Sequence, residues 1–192
     1  MHPTVQEFVE RTLTTEHVAG KKVLEVGSCD VNGSVRPYVE SLGPKMYHGV
    51  DATPGPRVDQ VVDCEELSAR VGYAAWDVVI TTEMLEHVRD WRACILELYY
   101  SVRPGGLLLI TTRSPGFPYH PFPEDYWRYT NTQMRAILDA LQLETLVVED
   151  DPELGVFALA RKPNPEALPG HVGSGHIPWA RLRDIEVEAV MI

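Results

Sequence analysis

The chain has 192 residues, of which 44% are hydrophobic and 23% are charged, as expected for one globular domain. The three cysteines are scattered and form no CxxC pair, so we expect no zinc site, no disulfide framework and a reducing, cytoplasmic setting. A formal net charge of −11 argues against a nucleic-acid partner, and the short apolar runs and acidic N-terminus predict no membrane span or secretory signal.

Helix and strand patterns alternate along the first half of the chain. Residues 4–17 carry apolar side chains at helical spacing. Residues 23–26 form a continuous apolar run that ends at Gly27 and is typical of a buried parallel strand. Residues 33–42 fit a helix with Pro37 in its first turn. Further strands are predicted at residues 46–50, 58–62, 76–81 and 107–111.

The second half continues the alternation. Residues 91–102 predict a helix that Asp90 caps and that the following Arg-Pro-Gly-Gly ends. Residues 130–133 have the form of a capping box that opens a helix reaching about Leu141. Residues 143–149 and 156–160 predict two closing strands. The pattern therefore predicts an α/β, Rossmann-like doubly wound sheet of seven strands, mostly parallel with an antiparallel last strand, and helices on both faces.

Two segments depart from this alternation. Residues 114–130 are rich in proline and aromatic side chains, and we expect an ordered lid or insert on the acceptor side of a domain that covers residues 1–162. Residues 163–192 are expected to form a Pro/Gly-rich C-terminal arm with a short helix at residues 181–190. The composition of the arm suits a free segment and also a homodimer in which it reaches a second subunit.

Three strand ends carry residues that suit a nucleoside ligand. Gly27 lets a ligand approach the backbone, and the turn after it lacks the second glycine that a dinucleotide pyrophosphate requires. Asp51 follows the second strand, where a carboxylate can accept ribose hydroxyls. Asp63 follows the third strand and could accept from an adenine amine beside the amide of Cys64. Both aspartates also suit a helix-capping role.

The ordered segments VLEVG, GVDATPG, VDCEEL, WDVVITTEMLEHV and LYYSVRPGGLLLITT resemble the class I S-adenosylmethionine-dependent methyltransferases, particularly the type 11 branch. The resemblance covers about residues 23–112 and implies S-adenosylmethionine as the cofactor. It implies that Glu25, Gly27 and Ser28 line the methionine part, Asp51 binds the ribose, Asp63 and Cys64 bind the adenine, and Thr82 and Glu83 close the pocket near the sulfonium.

The sequence departs from the family pattern at the first turn. The usual G-x-G-x-G is reduced to Gly27 and Gly33, with Ser28, Cys29 and Asp30 between them. This departure leaves open which backbone amides hold the cofactor carboxylate.

The lid segment resembles segments of type 11 enzymes linked to glycan and natural-product tailoring. It is either an acceptor pocket or a proline-stiffened lid whose aromatic side chains are buried. For a hydroxyl acceptor, His120 is the first candidate for the base, and His87, with Asp125 behind it, is the second. An amine acceptor needs neither histidine. The candidate acceptor contacts are Tyr119, Tyr126, Trp127 and Arg128.

The expected function is therefore O-methylation of a small molecule, such as a sugar, nucleoside or natural-product scaffold. No metal cofactor is expected. Two alternatives remain from the sequence: a non-catalytic S-adenosylmethionine-binding or scaffold subunit, and a nicotinamide-dependent oxidoreductase, which the missing G-x-G-x-x-G disfavours.

Overall fold

The computed structural model describes residues 2–121, 124–164 and 179–190. Its strands are β1 (Lys22–Val26), β2 (Met46–Asp51), β3 (Gln60–Val61), β4 (Trp76–Thr82), β5 (Val102–Arg113), β6 (Trp127–Arg128), β7 (Glu144–Asp151), β8 (Gly155–Arg161) and β9 (Glu188–Ala189). Its α-helices are α1 (Pro3–Thr12), α2 (Thr15–Val18), α3 (Arg36–Ser41), α4 (Leu67–Val71), α5 (Trp91–Ser101), α6 (Asn131–Ala140) and α7 (Trp179–Arg183).

Seven strands form one sheet in the order β3-β2-β1-β4-β5-β8-β7. The pairs from β3 to β5 are parallel, and β8 is antiparallel to both of its neighbours. This arrangement confirms the predicted Rossmann-like sheet with an antiparallel last strand. The strand order reverses between β1 and β4, and the crevice outside the carboxyl ends of strands at such a point is where ligands bind in this fold.

Helices cover both faces of the sheet. Consecutive side chains of a strand point to opposite sides, so each central strand contributes to a core cluster on each face. Val23 of β1 packs in a core cluster with Val5 and Phe8 of α1, while Leu24 packs in a second cluster with residues of α5 and α6. Both faces of the central strands are therefore buried, which explains why β1 reads as a continuous apolar run in the sequence.

The cap signals place two helices correctly. Oδ1 of Asp90 accepts from the amides of Arg92 and Ala93 at 3.1 Å each and so caps α5. Thr130 and Gln133 form the predicted capping box at the start of α6. These contacts satisfy amides that have no partner within the helix.

Three predicted elements differ from the structure. The helix expected over residues 4–17 is interrupted at Leu13 and Thr14, where the backbone is extended between α1 and α2. The strand expected at residues 58–62 is only β3. The final helix begins at Trp179 and ends at Arg183, and β9 follows it, paired with β6 of the lid segment. A two-residue strand leaves no periodic signal in a sequence.

The prediction that the cysteines form no disulfide is wrong. Cys64 and Cys94 are joined by a disulfide with a Cα–Cα distance of 5.4 Å, and Cys29 is the free cysteine. The bridge connects the segment after β3 to α5. The two cysteines are 30 residues apart, so only the folded sheet brings them together.

Residues 179–190 pack against the domain. Leu182 is fully buried, and the guanidinium of Arg92 donates to the carbonyl oxygens of Leu182 and Ile185 at 3.1 and 2.6 Å. The remaining residues of the predicted arm that lie at 165–178 and 191–192 fall outside the described residues. Across the described ranges, no helix has the length and apolar character that a bilayer crossing requires.

Candidate active site

The turn after β1 contacts the carboxylate at the end of β2. Gly27 has a φ of +80°, in the left-handed region that favours glycine, and its amide donates to the carbonyl of Val50 at 2.9 Å. A Cβ at Gly27 would lie 2.7 Å from Cβ and Cγ of Met84. The amide of Cys29 donates to Oδ2 of Asp51 at 3.2 Å. Gly27 and Asp51 therefore line one crevice at the switch point of the sheet.

Asp30 holds the part of this turn where the family pattern has a further glycine. Its Oδ1 accepts from the amide of Gly33 at 2.9 Å, and its Oδ2 pairs with Nε of Arg57 at 2.8 Å. The guanidinium of Arg57 and the amide of Gly33 hold the pKa of Asp30 below its usual value. The carboxylate of Asp30 therefore holds the conformation of a turn that has fewer glycines than the family pattern.

The carboxylate of Asp51 is partly engaged within the protein. Besides the Cys29 amide, it accepts from the amide and the hydroxyl of Thr53 at 2.9 and 3.0 Å. A carboxylate offers about four acceptor sites, so one remains for a ribose hydroxyl. The predicted ribose role of Asp51 therefore fits this geometry.

Glu25 and Ser28 are both buried beside the turn. Glu25 is 2% exposed, and Oε2 accepts from the Tyr47 hydroxyl at 2.9 Å. Burial raises the pKa of Glu25 to about 7, although the Tyr47 bond opposes the shift. The amide of Ser28 donates to the carbonyl of Val50 at 3.0 Å, and its hydroxyl donates to the carbonyl of Arg57. Ser28 therefore shapes the turn, and both of its donors have protein partners.

Asp63 performs the capping role that the sequence left open. Its Oδ1 accepts from the amide of Glu65 at 3.0 Å and caps the short 3-10 helix Cys64–Glu66. The second oxygen of this exposed carboxylate leaves room for the predicted adenine contact. Cys64 lies beside it, buried, with its sulfur committed to the disulfide.

Glu83 follows the end of β4 with a φ of +53°, a conformation that non-glycine residues rarely adopt and that clusters at functional sites. Its Oε1 accepts from the Thr111 hydroxyl at 3.0 Å, and Oε2 forms an ion pair with Arg113. Burial and the charge of Glu86 raise the pKa of Glu83, and Arg113 opposes the shift. Thr82 precedes it at the end of the strand, half-buried.

Glu86 is the centre of a polar group that the sequence analysis did not single out. Its side chain is fully buried, Oε2 accepts from the Thr112 hydroxyl at 2.8 Å, and Oε1 has no hydrogen-bond partner. Nε2 of His87 and Nε2 of His120 lie 3.9 and 3.8 Å from Oε1. Glu86 directly precedes His87 and follows Glu83 by three residues, which is the signal that marks it in the sequence.

His120 joins this group from the lid segment. Its ring lies 4.9 Å from the ring of His87 and 4.9 Å from that of Phe117. Its Nδ1 lies 3.0 Å from Oδ2 of Asp125 without a hydrogen bond, and the same carboxylate oxygen accepts from the backbone amide of His120 at 2.9 Å. The carboxylate of Glu86 raises the pKa of His120, against the effect of partial burial. The prediction that Asp125 lies behind His87 is wrong, since its contacts are with His120.

Arg128 is a structural residue of the lid. Its side chain is 4% exposed and pairs with Asp125 through Nη1 at 2.5 Å and Nη2 at 2.7 Å. The guanidinium also donates to the carbonyls of Phe117, Pro118 and Trp127. All of these donors serve the lid itself, so we correct the expectation that Arg128 contacts an acceptor. Its guanidinium lowers the pKa of Asp125 to about 2, although burial acts in the opposite direction.

The other three predicted acceptor contacts differ in exposure. Nε1 of Trp127 donates to the carbonyl of Val88 at 2.9 Å, so its polar edge is occupied. The amide of Tyr126 donates to the carbonyl of Glu86 at 2.8 Å, which ties the lid to the centre of the polar group. Tyr119 is 45% exposed and is the one of the three with a largely free ring.

Met84 connects the crevice to the polar group. Its side chain faces Gly27, and the 3-10 helix Leu85–His87 follows it directly. Met84 precedes His87 by three residues, so the turn after β1 and the polar group around Glu86 lie at the same edge of the sheet. This edge holds both the crevice lined by Gly27 and Asp51 and the Glu86 carboxylate with its two imidazoles.

A sequence profile of the methyltransferase domain matches residues 1–149, more than half of the chain. The chain belongs to the class I S-adenosylmethionine-dependent methyltransferases. S-adenosylmethionine is the cofactor of this methyltransferase, and the residues present fit it, since Asp51 at the switch point of the sheet keeps one free acceptor site for a ribose hydroxyl.

Individual relatives agree with this family. The ubiquinone biosynthesis O-methyltransferase of Vibrio atlanticus is 32% identical over 56% of the chain, and the chain spans about half (50%) of that relative. The fold resembles Burkholderia thailandensis 1,6-didemethyltoxoflavin-N1-methyltransferase, solved with 1,6-didemethyltoxoflavin and S-adenosylhomocysteine, with a TM-score of 0.67, 18% identity and coverage of 83% and 78% of the two chains. The fold also resembles an S-adenosylmethionine-dependent methyltransferase of Mesorhizobium loti, with a TM-score of 0.63, 14% identity and coverage of 81% of this chain and 96% of that chain.

Proposed function

We propose that this methyltransferase transfers a methyl group to a hydroxyl oxygen of a small-molecule acceptor, on a sugar, nucleoside or natural-product scaffold. The observation that carries the proposal is the position of His120. Its Nε2 lies beside the buried Glu86 carboxylate, and its Nδ1 lies beside Asp125. The O-methyltransferase name of the Vibrio relative supports an oxygen acceptor, and an amine acceptor would need no such base.

When bound, S-adenosylmethionine supplies an electrophilic methyl group on a sulfonium. The chain binds it through the Gly27 turn and Asp51, with Glu25 on the methionine side and Asp63 and Cys64 on the adenine side. In-line displacement requires the acceptor oxygen to be aligned with the methyl carbon, and such alignment can supply about 7–11 kcal/mol in favourable cases. The lid segment, with the exposed ring of Tyr119, covers the acceptor side.

His120 accepts the hydroxyl proton as the new oxygen–carbon bond forms. Asp125 and Glu86 face its two ring nitrogens and stabilise the imidazolium that results. Arg128 keeps Asp125 in place, so the lid positions the base through a buried ion pair. His87 packs edge-on against His120 and restricts its ring orientation.

The experiment is an assay with labelled S-adenosylmethionine against a panel of sugars, nucleosides and phenolic scaffolds. With an acceptor in hand, we expect His120→Gln to lower kcat about 10²–10⁴-fold, the usual contribution of a general base, and to leave S-adenosylhomocysteine affinity unchanged. His17→Gln, the same change at an exposed histidine that contacts Thr14, is the matched control. Transfer at the wild-type rate by His120→Gln, or exclusive labelling of amines, would reject the proposal.

A further inference from the structure

Glu86, His87 and His120 bring one carboxylate oxygen and two imidazole nitrogens within 4.8 Å of one another. We infer that these three side chains form a binding site for one divalent transition-metal cation, and that zinc is the expected occupant. The site goes beyond the proposed function, because cation binding does not depend on methyl transfer.

The first argument is the environment of Glu86. Its carboxylate is fully buried, and among the described residues its ion-pair partners are the two imidazoles alone. The guanidiniums nearby are committed elsewhere, since Arg113 pairs with Glu83 and Arg128 with Asp125. A buried carboxylate without a compensating charge costs roughly several kcal/mol, and when both imidazoles are neutral a bound cation is what supplies that charge. The Thr112 hydroxyl holds Oε2 and leaves Oε1 without a hydrogen bond.

The second argument is the orientation of the two histidines. Nδ1 of His87 is 2.6 Å from the carbonyl oxygen of Glu124, which only accepts, so the proton of a neutral ring belongs on Nδ1. Nδ1 of His120 lies 3.0 Å from Oδ2 of Asp125 but outside hydrogen-bond geometry, so a ring rotation that aligns the two atoms would place the proton on the same nitrogen. Both Nε2 lone pairs are then free and face Oε1 of Glu86. Metal-ligating histidines show this pattern, with the other ring nitrogen held by a carboxylate or a carbonyl.

The third argument is distance. Zinc binds imidazole nitrogen and carboxylate oxygen at about 2.0–2.2 Å, so two ligands of one ion lie about 3.0–3.5 Å apart. The two nitrogen–oxygen distances here are 3.9 and 3.8 Å. Side-chain rotations that shorten each nitrogen–oxygen distance by about 0.5 Å, and the distance between the two imidazole nitrogens by up to about 1.5 Å, bring the donors onto a common ion. Glu86 is anchored by Thr112, so the imidazoles are the parts that close.

The donor set also selects the metal. Two imidazoles and one carboxylate suit zinc and neighbouring transition metals, whereas magnesium and calcium prefer oxygen donors throughout. Three protein ligands leave at least one coordination position, and the His120 side chain is 35% exposed, so the position opens toward the lid. A cation on Nε2 of His120 occupies the lone pair that would take up the hydroxyl proton, so bound zinc should inhibit methyl transfer that uses His120 as the base.

The test is a zinc titration of the full chain after treatment with EDTA and desalting. We expect one zinc ion per chain by calorimetry and visible absorption bands when cobalt(II) replaces zinc. Glu86→Gln, His87→Ala and His120→Ala should each weaken binding at least tenfold, since loss of even a supporting residue costs about 10–100-fold. Thermal unfolding of each variant confirms that it is folded.

Two controls locate the ion. His17→Ala removes a histidine that contacts Thr14 and should leave zinc affinity unchanged. His171→Ala with His176→Ala removes the two histidines of the C-terminal segment and should also leave it unchanged. Absence of zinc binding by the folded wild type, or binding that only the His171/His176 variant loses, would overturn the inference. Zinc binding without methyl transfer to any acceptor would count against the proposed function alone.

Discussion

The cofactor crevice and the lid segment are held together in different ways. At the crevice, backbone amides of the turn after β1 contact Val50 and Asp51 of the neighbouring strand β2, which pairs with β1 in register. In the lid, a buried ion pair between Asp125 and Arg128 organises a proline-rich segment whose described residues form one two-residue strand, β6. The crevice follows from strand ends that can be predicted from the sequence. The lid depends on a side-chain pair that forms only in the folded chain.

The largest expected effect is on the lid. Arg128→Met leaves the buried carboxylate of Asp125 without its partner and should lower the free energy of unfolding by about 3–5 kcal/mol, the usual cost of breaking a buried pair. Denaturant unfolding followed by circular dichroism measures it. Arg183→Met, which breaks a pair that is 72% and 74% exposed, is the control and should change stability by less than about 1 kcal/mol. Equal effects of both variants would show that the lid is not held by this pair.

Arg128 also shows where prediction from sequence stops. An arginine in an aromatic, acidic loop fits an acceptor contact, and the i,i+3 spacing to Asp125 is a weak signal for a pair. His120 and His87 were both predicted as candidates, but their convergence on Glu86 was not, because 33 residues separate the two histidines. Burial decides these roles, and burial depends on the path of a loop that has no period.

Removal of the disulfide tests whether the stability of the cofactor side of the sheet depends on a contact away from the strand ends, because the bridge joins the segment after β3 to α5. A bridge that spans 30 residues contributes roughly 3–4 kcal/mol by restricting the unfolded chain. The double variant Cys64→Ser/Cys94→Ser should have a free energy of unfolding lower than that of the oxidised wild type by that amount, measured by denaturant unfolding. Addition of reductant should lower the free energy of unfolding of the wild type and leave that of the double variant unchanged. Reductant-insensitive unfolding of the wild type would contradict a formed bridge, and Cys29→Ser is the matched control.

The crevice itself was largely predictable. Gly27 and Asp51 were placed at the ends of adjacent strands by the apolar runs that precede them, and parallel strands end at one edge of the sheet. The support by Asp30 and Arg57 was not predictable, because it replaces a glycine pattern by a side-chain pair. The hydrogen bonds of Ser28 likewise depend on the folded turn, whereas the capping role of Asp63 was one of two that the sequence offered.

Asp51→Ala should weaken S-adenosylhomocysteine binding about 100-fold, because it removes a charged acceptor for the ribose and the bond that holds the Cys29 amide. Calorimetric titration measures the change. Asp63→Ala should have a smaller effect, since half of that carboxylate already caps a 3-10 helix. A larger loss at Asp63 than at Asp51 would place the tighter cofactor contacts at β3 and reverse our assignment.

The smallest expected effect is a pH dependence from Glu25. Burial raises the pKa of Glu25 to about 7, so the protonated form dominates at lower pH in the free protein. An ammonium group of the methionine part near Glu25 favours the carboxylate and lowers that pKa on binding. Binding then releases a proton, and affinity for S-adenosylhomocysteine should rise about tenfold between roughly pH 6 and pH 8.

Glu25→Gln cannot release this proton, so its affinity should lack the Glu25 contribution and vary less over the same range. Other groups of the ligand and protein titrate equally in both proteins, and the difference between the two curves isolates Glu25. The same slope in wild type and variant would mean that Glu25 stays protonated beside Tyr47 in the complex. Glu25 would then belong to the structural core of the crevice, as Arg128 belongs to that of the lid, and the methionine ammonium would be held by other groups.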